Sequence, residues 1–133
     1  MDENPSFSSL SDLPVEEFER ALLSSSRHGA DIRFHGVVRE TEAGRLIKGI
    51  DYSAYESMAT RELERIVREL QEENPDRRIA VHHRVGFVAA GEASLLIRVQ
   101  TAHSAEAFAT CQECLRRIKA EVPIWKRVVY RHG

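Results

Sequence analysis

The sequence predicts an α+β domain with a mainly antiparallel sheet and flanking helices, and three observations support this class. Segments of alternating apolar residues occur in adjacent pairs between helical segments, in the order α-β-β-α-β-β-α-β. Adjacent strands favour hairpins, which build antiparallel sheets. Two long segments carry apolar residues at helical spacing. Finally, 133 residues with 42% apolar and 30% charged content are typical of one soluble globular domain.

The first half of the chain predicts one short helix and two strands. Residues 1–12 are rich in serine, and we expect them to form a mobile segment before a single domain that covers residues 13–133. Pro14 suits the first turn of a helix, whose apolar spacing extends to about Ser25. A polar turn around Gly44 then separates two alternating segments. These predict the strands Ala30–Arg39 and Leu46–Tyr55.

The second half of the chain predicts two long helices and three strands. An apolar stripe predicts a helix over Ser57–Glu73, which Asn74-Pro75 stops. A second long helix is predicted over Ala105–Glu121, and Ser104 can cap it. The alternating segments predict the strands Ile79–Val85, Ala93–Ala102 and Ile124–Arg131, with a glycine-containing loop between the first two.

The charge distribution narrows the choice of ligand. The net charge is −2, which gives no global field for nucleic acid or membrane, and no apolar run is long enough to predict a membrane span. The N-terminus does not resemble a signal sequence, so we expect a cytoplasmic protein. Residues 115–131 nevertheless carry six basic residues and one acidic residue. This local excess favours a small anionic ligand or an anionic partner tail.

Two lysines on either side of Pro123 are the strongest candidates for chemistry. Proline ends the helix before it, so Lys119 lies on the last helical turn and Lys126 on the following strand. Alternation makes Lys126 the only charge on an otherwise apolar strand face. Buried lysines are rare, so this pattern indicates a cleft-facing group. The alternative is an edge strand from which Lys126 extends to water.

Two further cationic candidates lie at the ends of predicted strands. His103 directly precedes a helix N-terminus, where backbone N–H groups attract anions. Arg39 closes the first long strand, and arginine suits bidentate anion recognition. The alternatives are a hydrogen-bonded histidine and a solvated arginine at the strand ends. A cationic set of this kind suits a phosphate-bearing substrate or a developing oxyanion.

Other possible motifs indicate structure rather than chemistry. Cys111 and Cys114 share the apolar face of a predicted helix, which is typical of buried thiols. His82 and His83 are adjacent on a strand and point to opposite faces, so they are unsuited to one metal ion. The sequence contains no phosphate-binding glycine loop, zinc-protease motif or catalytic triad order. We therefore predict no metal site and no bound cofactor.

An ordered set of residues covering about 28–130 resembles the MoaE family, the large catalytic subunit of molybdopterin synthase. Its most specific part is the C-terminal lysine–proline–lysine segment. The residues are Val38-Arg39, Gly44, Ile47, Tyr52, Tyr55, Met58-Ala59, His83-Arg84-Val85-Gly86, Gly91-Glu92, Ala102-His103, Ala107-Phe108, Lys119 and Pro123-Ile124-Trp125-Lys126.

The resemblance implies a fold, a reaction and partners. The fold is of the α/β-hammerhead type, and two large subunits form a dimer. Each binds a small ubiquitin-like sulfur carrier that ends in Gly-Gly, which makes a heterotetramer. The reaction moves sulfur from the carrier thiocarboxylate to cyclic pyranopterin monophosphate and forms the molybdopterin dithiolene. By position, Lys119 and Lys126 match catalytic lysines, and Arg39 and His103 match substrate-binding residues.

Two other functions stay open at this point. A non-catalytic homologue would keep the groove and only bind a ubiquitin-like partner. Ser104, where the family usually has arginine, favours this alternative, whereas the presence of both lysines favours the enzyme. A ferredoxin-like ligand-sensing module is the third possibility, but it would leave Lys126 without a role.

Overall fold

The computed structural model describes residues 5–131, which form eight strands and three helices in the order β-α-β-β-β-α-β-β-β-α-β. The helices are α1 (Val15–Arg20), α2 (Glu56–Glu73) and α3 (Ser104–Glu121). The strands are β1 (Phe7–Ser11), β2 (Ala30–Val37), β3 (Thr41–Glu42), β4 (Arg45–Ala54), β5 (Arg78–Arg84), β6 (Gly86–Ala89), β7 (Ala93–Thr101) and β8 (Ile124–Tyr130). None of these helices is both long and apolar enough to cross a membrane.

Two sheets form the framework, and their pairing is mainly antiparallel as predicted. The first sheet has the order β1-β5-β7-β2, in which only β1 and β5 run parallel. The second sheet is built around β4, which pairs antiparallel with β3, β6 and β8. The α+β class predicted from the sequence is therefore confirmed.

The main core lies between the first sheet and the two long helices. Helix α2 buries the predicted stripe, and helix α3 contributes both cysteines to the same core. Helix α1 covers the opposite sheet face through Val15 and Phe18, which pack against Leu96. Because both faces are covered, every residue of β7 is buried. A separate apolar cluster fills one face of the second sheet around Ile47, Tyr52 and Val88.

The N-terminal part of the chain differs from the sequence-based expectation. Residues 7–11 were expected to belong to a mobile segment, but they form β1, which pairs with β5 over five residues. Serine hydroxyls support this edge, since Ser6 Oγ accepts a hydrogen bond from the backbone N–H of Ile79 at 2.8 Å. Residues 1–4 of the expected segment lie outside the described residues.

Helix α1 is shorter than its apolar spacing predicts. It ends at Arg20 instead of Ser25. Ser24-Ser25-Ser26 follows, and serine side chains bond to nearby backbone in non-helical conformations. Here Ser25 Oγ accepts a hydrogen bond from the backbone N–H of Arg27 at 3.2 Å. The Leu23 carbonyl instead accepts a bond from buried Arg98 at 3.1 Å, which fixes the segment to β7.

The sequence-based prediction also missed two short strands and assigned one helix cap to the wrong residue. The polar turn contains β3, because Ala43 and Gly44 both adopt positive φ and close a tight hairpin. The predicted glycine loop contains β6, which begins at Gly86 with φ of +88°. Ser104 is the first helical residue of α3 and makes no side-chain cap, since the preceding His103 occupies the cap position.

Candidate active site

A cavity of about 460 Å³ lies between the two sheets and the C-terminal half of α3. Its volume falls within the range of about 300–1,000 Å³ that is usual for small-molecule sites. The lining residues are Phe34, Gly36, Val37, Tyr52, His83, Ser94, Leu95, Leu115, Ile118, Lys119, Val122, Ile124 and Lys126. The walls are therefore largely apolar, with two cations and a few polar groups.

The first sheet forms one wall through a row of paired residues. His83 of β5 lies opposite Leu95 of β7, and Leu95 lies opposite Gly36 of β2. Gly36 leaves space beside Leu95 in this row, because a Cβ at position 36 would make a tight contact of 3.3 Å with the Leu95 Cβ. Strand alternation places His83 on the same face as the core residue Val81, just beyond the end of the apolar core.

The second sheet forms the facing wall. Lys126 of β8 pairs directly with Tyr52 of β4, so the two side chains share one face. Tyr52 is 5% exposed, whereas Lys126 is exposed. The neighbours of Lys126 on its face, Ile124 and Val128, pack against the apolar cluster of this sheet. The predicted apolar face with a single lysine is thus confirmed.

The end of α3 brings Lys119 to the same cavity. The helix is held to the core by Cys114 and Ile118, so its last turn is fixed while Lys119 remains exposed. Val122 then takes an extended conformation (φ −91°, ψ 126°) before Pro123, and β8 begins at Ile124. The proline therefore redirects the chain so that a helix lysine and a strand lysine line one space.

Three of the six basic residues of segment 115–131 are paired with acidic residues. Arg116 bonds to Glu113, Arg117 bonds to Glu69 and Glu121, and Arg127 bonds to Asp51. Over residues 5–131, no hydrogen bond or ion pair joins the Lys119 or Lys126 ammonium to another residue. Three basic residues of the segment thus have no acidic partner among residues 5–131. Lys119 and Lys126 line the cavity, whereas Arg131 does not.

His83 is a polar wall residue that the sequence did not single out as functional. It is 8% exposed, and its Nδ1 lies 2.7 Å from the carbonyl oxygen of Arg84. Burial lowers its pKa to about 4, and the nearby Lys126 charge acts in the same direction. The ring is thus neutral near pH 7. Its plane meets the Tyr52 ring at 74° with centroids 5.3 Å apart.

The structure does not bring Arg39 or His103 into this cavity. Arg39 follows the end of β2, and its 78% exposed side chain faces Glu42 at 3.7 Å. His103 is exposed at the N-terminus of α3, whereas Lys119 lies on the last turn. Sixteen residues at 1.5 Å each separate them by about 24 Å along the helix axis. Within one chain, His103 and Lys119 cannot contact the same small ligand.

The remaining candidates agree with their predicted structural roles. Burial raises the pKa of the Cys111 thiol and raises that of Cys114 to about 12, so neither is a ready thiolate. His82 lies on the sheet face opposite His83, between Ser9 and the Leu13 carbonyl. No group of three or more potential metal ligands occurs in the described part of the chain.

Comparison with known proteins points to one family. The model of the MoaE protein family matches residues 9–121. The molybdopterin synthase catalytic subunit of rice (Oryza sativa subsp. indica) is 42% identical over 105 residues. This alignment covers 79% of the chain but only 54% of the rice protein, so the chain spans about half the length of this relative.

Solved structures share the fold. The crystal structure of molybdopterin synthase from Staphylococcus aureus superposes with a TM-score of 0.81 at 28% identity, covering 100% of this chain and 95% of that one. A protein–protein complex of subunits 1 and 2 of the molybdopterin-converting factor from Helicobacter pylori gives a TM-score of 0.71 at 20% identity, over 96% and 90% of the two chains.

Proposed function

The chain belongs to the MoaE family, and we propose that it is the catalytic subunit of a molybdopterin synthase. It transfers sulfur from a thiocarboxylated small carrier to cyclic pyranopterin monophosphate and forms the molybdopterin dithiolene. The observation that carries this proposal is the cavity in which Lys119 and Lys126 meet without acidic partners among residues 5–131.

The charge of the cavity suits both reactants. A thiocarboxylate tail and a cyclic phosphate are both anions, and each needs a positive counterpart when it leaves water. Two lysines provide that charge, while apolar walls such as Phe34 and Leu95 exclude water and strengthen the attraction. An extended Gly-Gly tail has no side chains, so it can enter a narrow opening that bulkier residues could not.

The chemical step needs a cation beside the acyl carbon of the carrier. The thiocarboxylate sulfur bonds to a substrate carbon and displaces an oxygen substituent of that carbon, which leaves as water or as a phosphate oxygen. Water then attacks the acyl carbon of the resulting thioester. The acyl carbon–sulfur bond breaks, the carrier leaves as a carboxylate, and the sulfur stays on the substrate. Water attack passes through an oxyanion, which a fixed ammonium stabilises. Two such cycles with two carriers supply both dithiolene sulfurs.

We assign the oxyanion role to Lys119 and a mainly substrate-binding role to Lys126. Lys119 extends from a helix end that the core holds in place, which suits a preorganised charge. Lys126 stands beside Tyr52 on the strand wall, which suits contact with the substrate phosphate. The cysteines take no part as sulfur carriers, because burial keeps both as neutral thiols.

Arg39 and His103 are proposed to bind substrate through assembly of two chains. Since about 24 Å of helix separates His103 from Lys119, a shared pocket requires the His103 of a second copy. A symmetric dimer would contain two such pockets and, with one carrier each, would form a heterotetramer. The chain from Helicobacter pylori that shares this fold was solved in a complex of subunits 1 and 2 of the molybdopterin-converting factor, which supports a second, different subunit as the partner. We place this assembly in the cytoplasm.

A reconstituted transfer assay tests the proposal. The chain, a thiocarboxylated carrier ending in Gly-Gly and cyclic pyranopterin monophosphate should yield the dithiolene, whereas a carrier lacking its last two glycines should bind weakly and give none. Tight binding of the intact carrier without product would instead support the alternative, a non-catalytic homologue that only binds a ubiquitin-like partner. Equal binding of both carriers would contradict insertion of the tail.

A further inference from the structure

His83 presents an unused hydrogen-bond acceptor to the cavity. A carbonyl oxygen can only accept, so the 2.7 Å contact with Arg84 requires that Nδ1 carries the proton. In a neutral imidazole the other ring nitrogen then carries a lone pair. Over residues 5–131, Nε2 has no hydrogen-bond partner, although the residue lines the cavity. The lone pair is therefore available to a ligand.

The surroundings keep the ring in this state. Burial disfavours the charged imidazolium, and the Lys126 ammonium opposes a second positive charge nearby. Tyr52 packs almost perpendicular to the ring and restricts its rotation. The contact with the Arg84 carbonyl fixes which nitrogen faces inward. Burial, ring packing and a backbone bond thus present one neutral acceptor in a fixed direction.

The acceptor complements the two lysines. Each ammonium is a donor only, and it recognises the anionic parts of a ligand. The pterin ring system also carries amino and ring N–H donors, which need acceptors once they are removed from water. Apart from His83, the lining side chains that can accept a bond are the Tyr52 and Ser94 hydroxyls, which are also donors, and Ser94 Oγ donates to the Gly36 carbonyl at 3.3 Å. Nε2 of neutral His83 is therefore the lining side-chain atom that can only accept.

We propose that His83 is a specificity-determining residue whose Nε2 accepts a hydrogen bond from an N–H group of the pterin substrate. This inference rests on the proposed function. His83 takes no part in the transfer step, since the oxyanion forms at the carrier tail beside Lys119. His83 favours a ligand that places an N–H donor against the cavity wall formed by β5.

Two substitutions separate this role from simple packing. His83→Asn keeps an amide donor near the Nδ1 position for the Arg84 carbonyl but leaves no acceptor at the Nε2 position. His83→Gln can place an amide oxygen near the Nε2 position. We expect His83→Asn to raise the KM for the pterin substrate roughly ten- to hundredfold, with little change in the single-turnover rate at saturation. His83→Gln should recover much of the lost affinity.

His82→Asn is the matched control, because His82 is the adjacent buried histidine on the opposite sheet face. We expect it to lower stability and leave the KM unchanged. An unchanged KM in His83→Asn, or an equal rise in both asparagine variants, would overturn the proposal. Failure of the wild-type chain to transfer sulfur would instead refute the proposed function, so the two failures are distinguishable.

Nitrogen NMR of the wild-type chain tests the same point without a substitution. The His83 ring should show a protonated Nδ1 and an unprotonated Nε2, and addition of cyclic pyranopterin monophosphate should shift the Nε2 resonance most. A protonated Nε2, or an Nε2 resonance that the substrate does not move, would contradict the proposal even if both His83 variants failed to fold.

Discussion

Lys126 and Tyr52 are direct partners across β8 and β4, and both line the cavity. This pairing explains how an exposed lysine can have a defined position. The buried Tyr52 ring fixes the strand face on which the lysine stem lies, and Ile124 and Val128 anchor the strand on either side. The ammonium can then reach the cavity without an acidic partner, so its charge remains available to an anion.

Lys126→Ala should weaken substrate binding more than it slows transfer. Loss of a charged hydrogen bond typically costs about 1.5–3 kcal/mol, so we expect the KM for the pterin substrate to rise roughly tenfold or more. Arg127→Ala is the matched control, because Arg127 is adjacent, points to the other face and bonds to Asp51. Steady-state kinetics on both variants would test this. Equal effects of the two substitutions would refute a specific role for Lys126.

His83 should make the fold less stable under mildly acidic conditions. Burial lowers its pKa from 6.5 to about 4. Between these values the unfolded chain binds a proton that the folded chain does not, so the free energy of unfolding falls as pH falls through this window. The full effect is roughly 3 kcal/mol. Denaturant unfolding at several pH values should show this loss in the wild type and a smaller loss in His83→Gln. Parallel pH profiles of the two proteins would contradict it.

Two poorly active variants should recover sulfur-transfer activity when they are mixed, if each pocket is formed by residues of two chains. We expect His103→Ala and Lys119→Ala to be poorly active alone, because each damages both pockets of a symmetric dimer. In a mixed dimer one pocket carries both defects and the other carries neither. After co-refolding in equal amounts, about a quarter of the sites should therefore be active. Absence of any recovery, or light scattering that shows only monomers, would contradict the shared pocket.

Carrier binding should weaken as salt rises, because the tail is anionic and the cavity is cationic. Isothermal titration with a carrier ending in Gly-Gly, at low and high ionic strength, would measure this. A Lys119→Ala and Lys126→Ala double variant should show a smaller salt dependence, since most other bases of segment 115–131 are already paired. The same salt dependence in both proteins would exclude the two lysines as its source.

The sequence was most informative where local chemistry determines structure. Pro123 and strand alternation correctly placed Lys119 at a helix end and Lys126 on an apolar face, because both rules depend on near neighbours in the chain. The stripe in α2 and the buried cysteines of α3 followed from helical spacing in the same way. Of these features, the Pro123 segment identified the C-terminal part of the chain as the part that carries the two cavity lysines.

Features that depend on distant residues could not be derived in this way. The strand β1 is rich in serine, and only its pairing with β5 makes it part of the sheet. The proposed role of His83 depends on its row with Leu95 and Gly36 and on the Tyr52 ring, which come from three other strands. The exposed positions of Arg39 and His103 likewise became apparent only from the folded chain.

The measurement that tests the account most directly is single-turnover sulfur transfer by Lys119→Ala. The helix-end charge contributes only about 0.3–1 kcal/mol to stability, whereas loss of a fixed cation at an oxyanion slows a reaction roughly a hundred- to thousandfold. Lys119→Arg should also remain slow, because a guanidinium differs from an ammonium in shape and hydration and spreads its charge over a larger planar group. Arg116→Ala, on the same helix but paired with Glu113, should transfer sulfur normally. A folded Lys119→Ala chain that transfers sulfur at the wild-type rate would contradict the account.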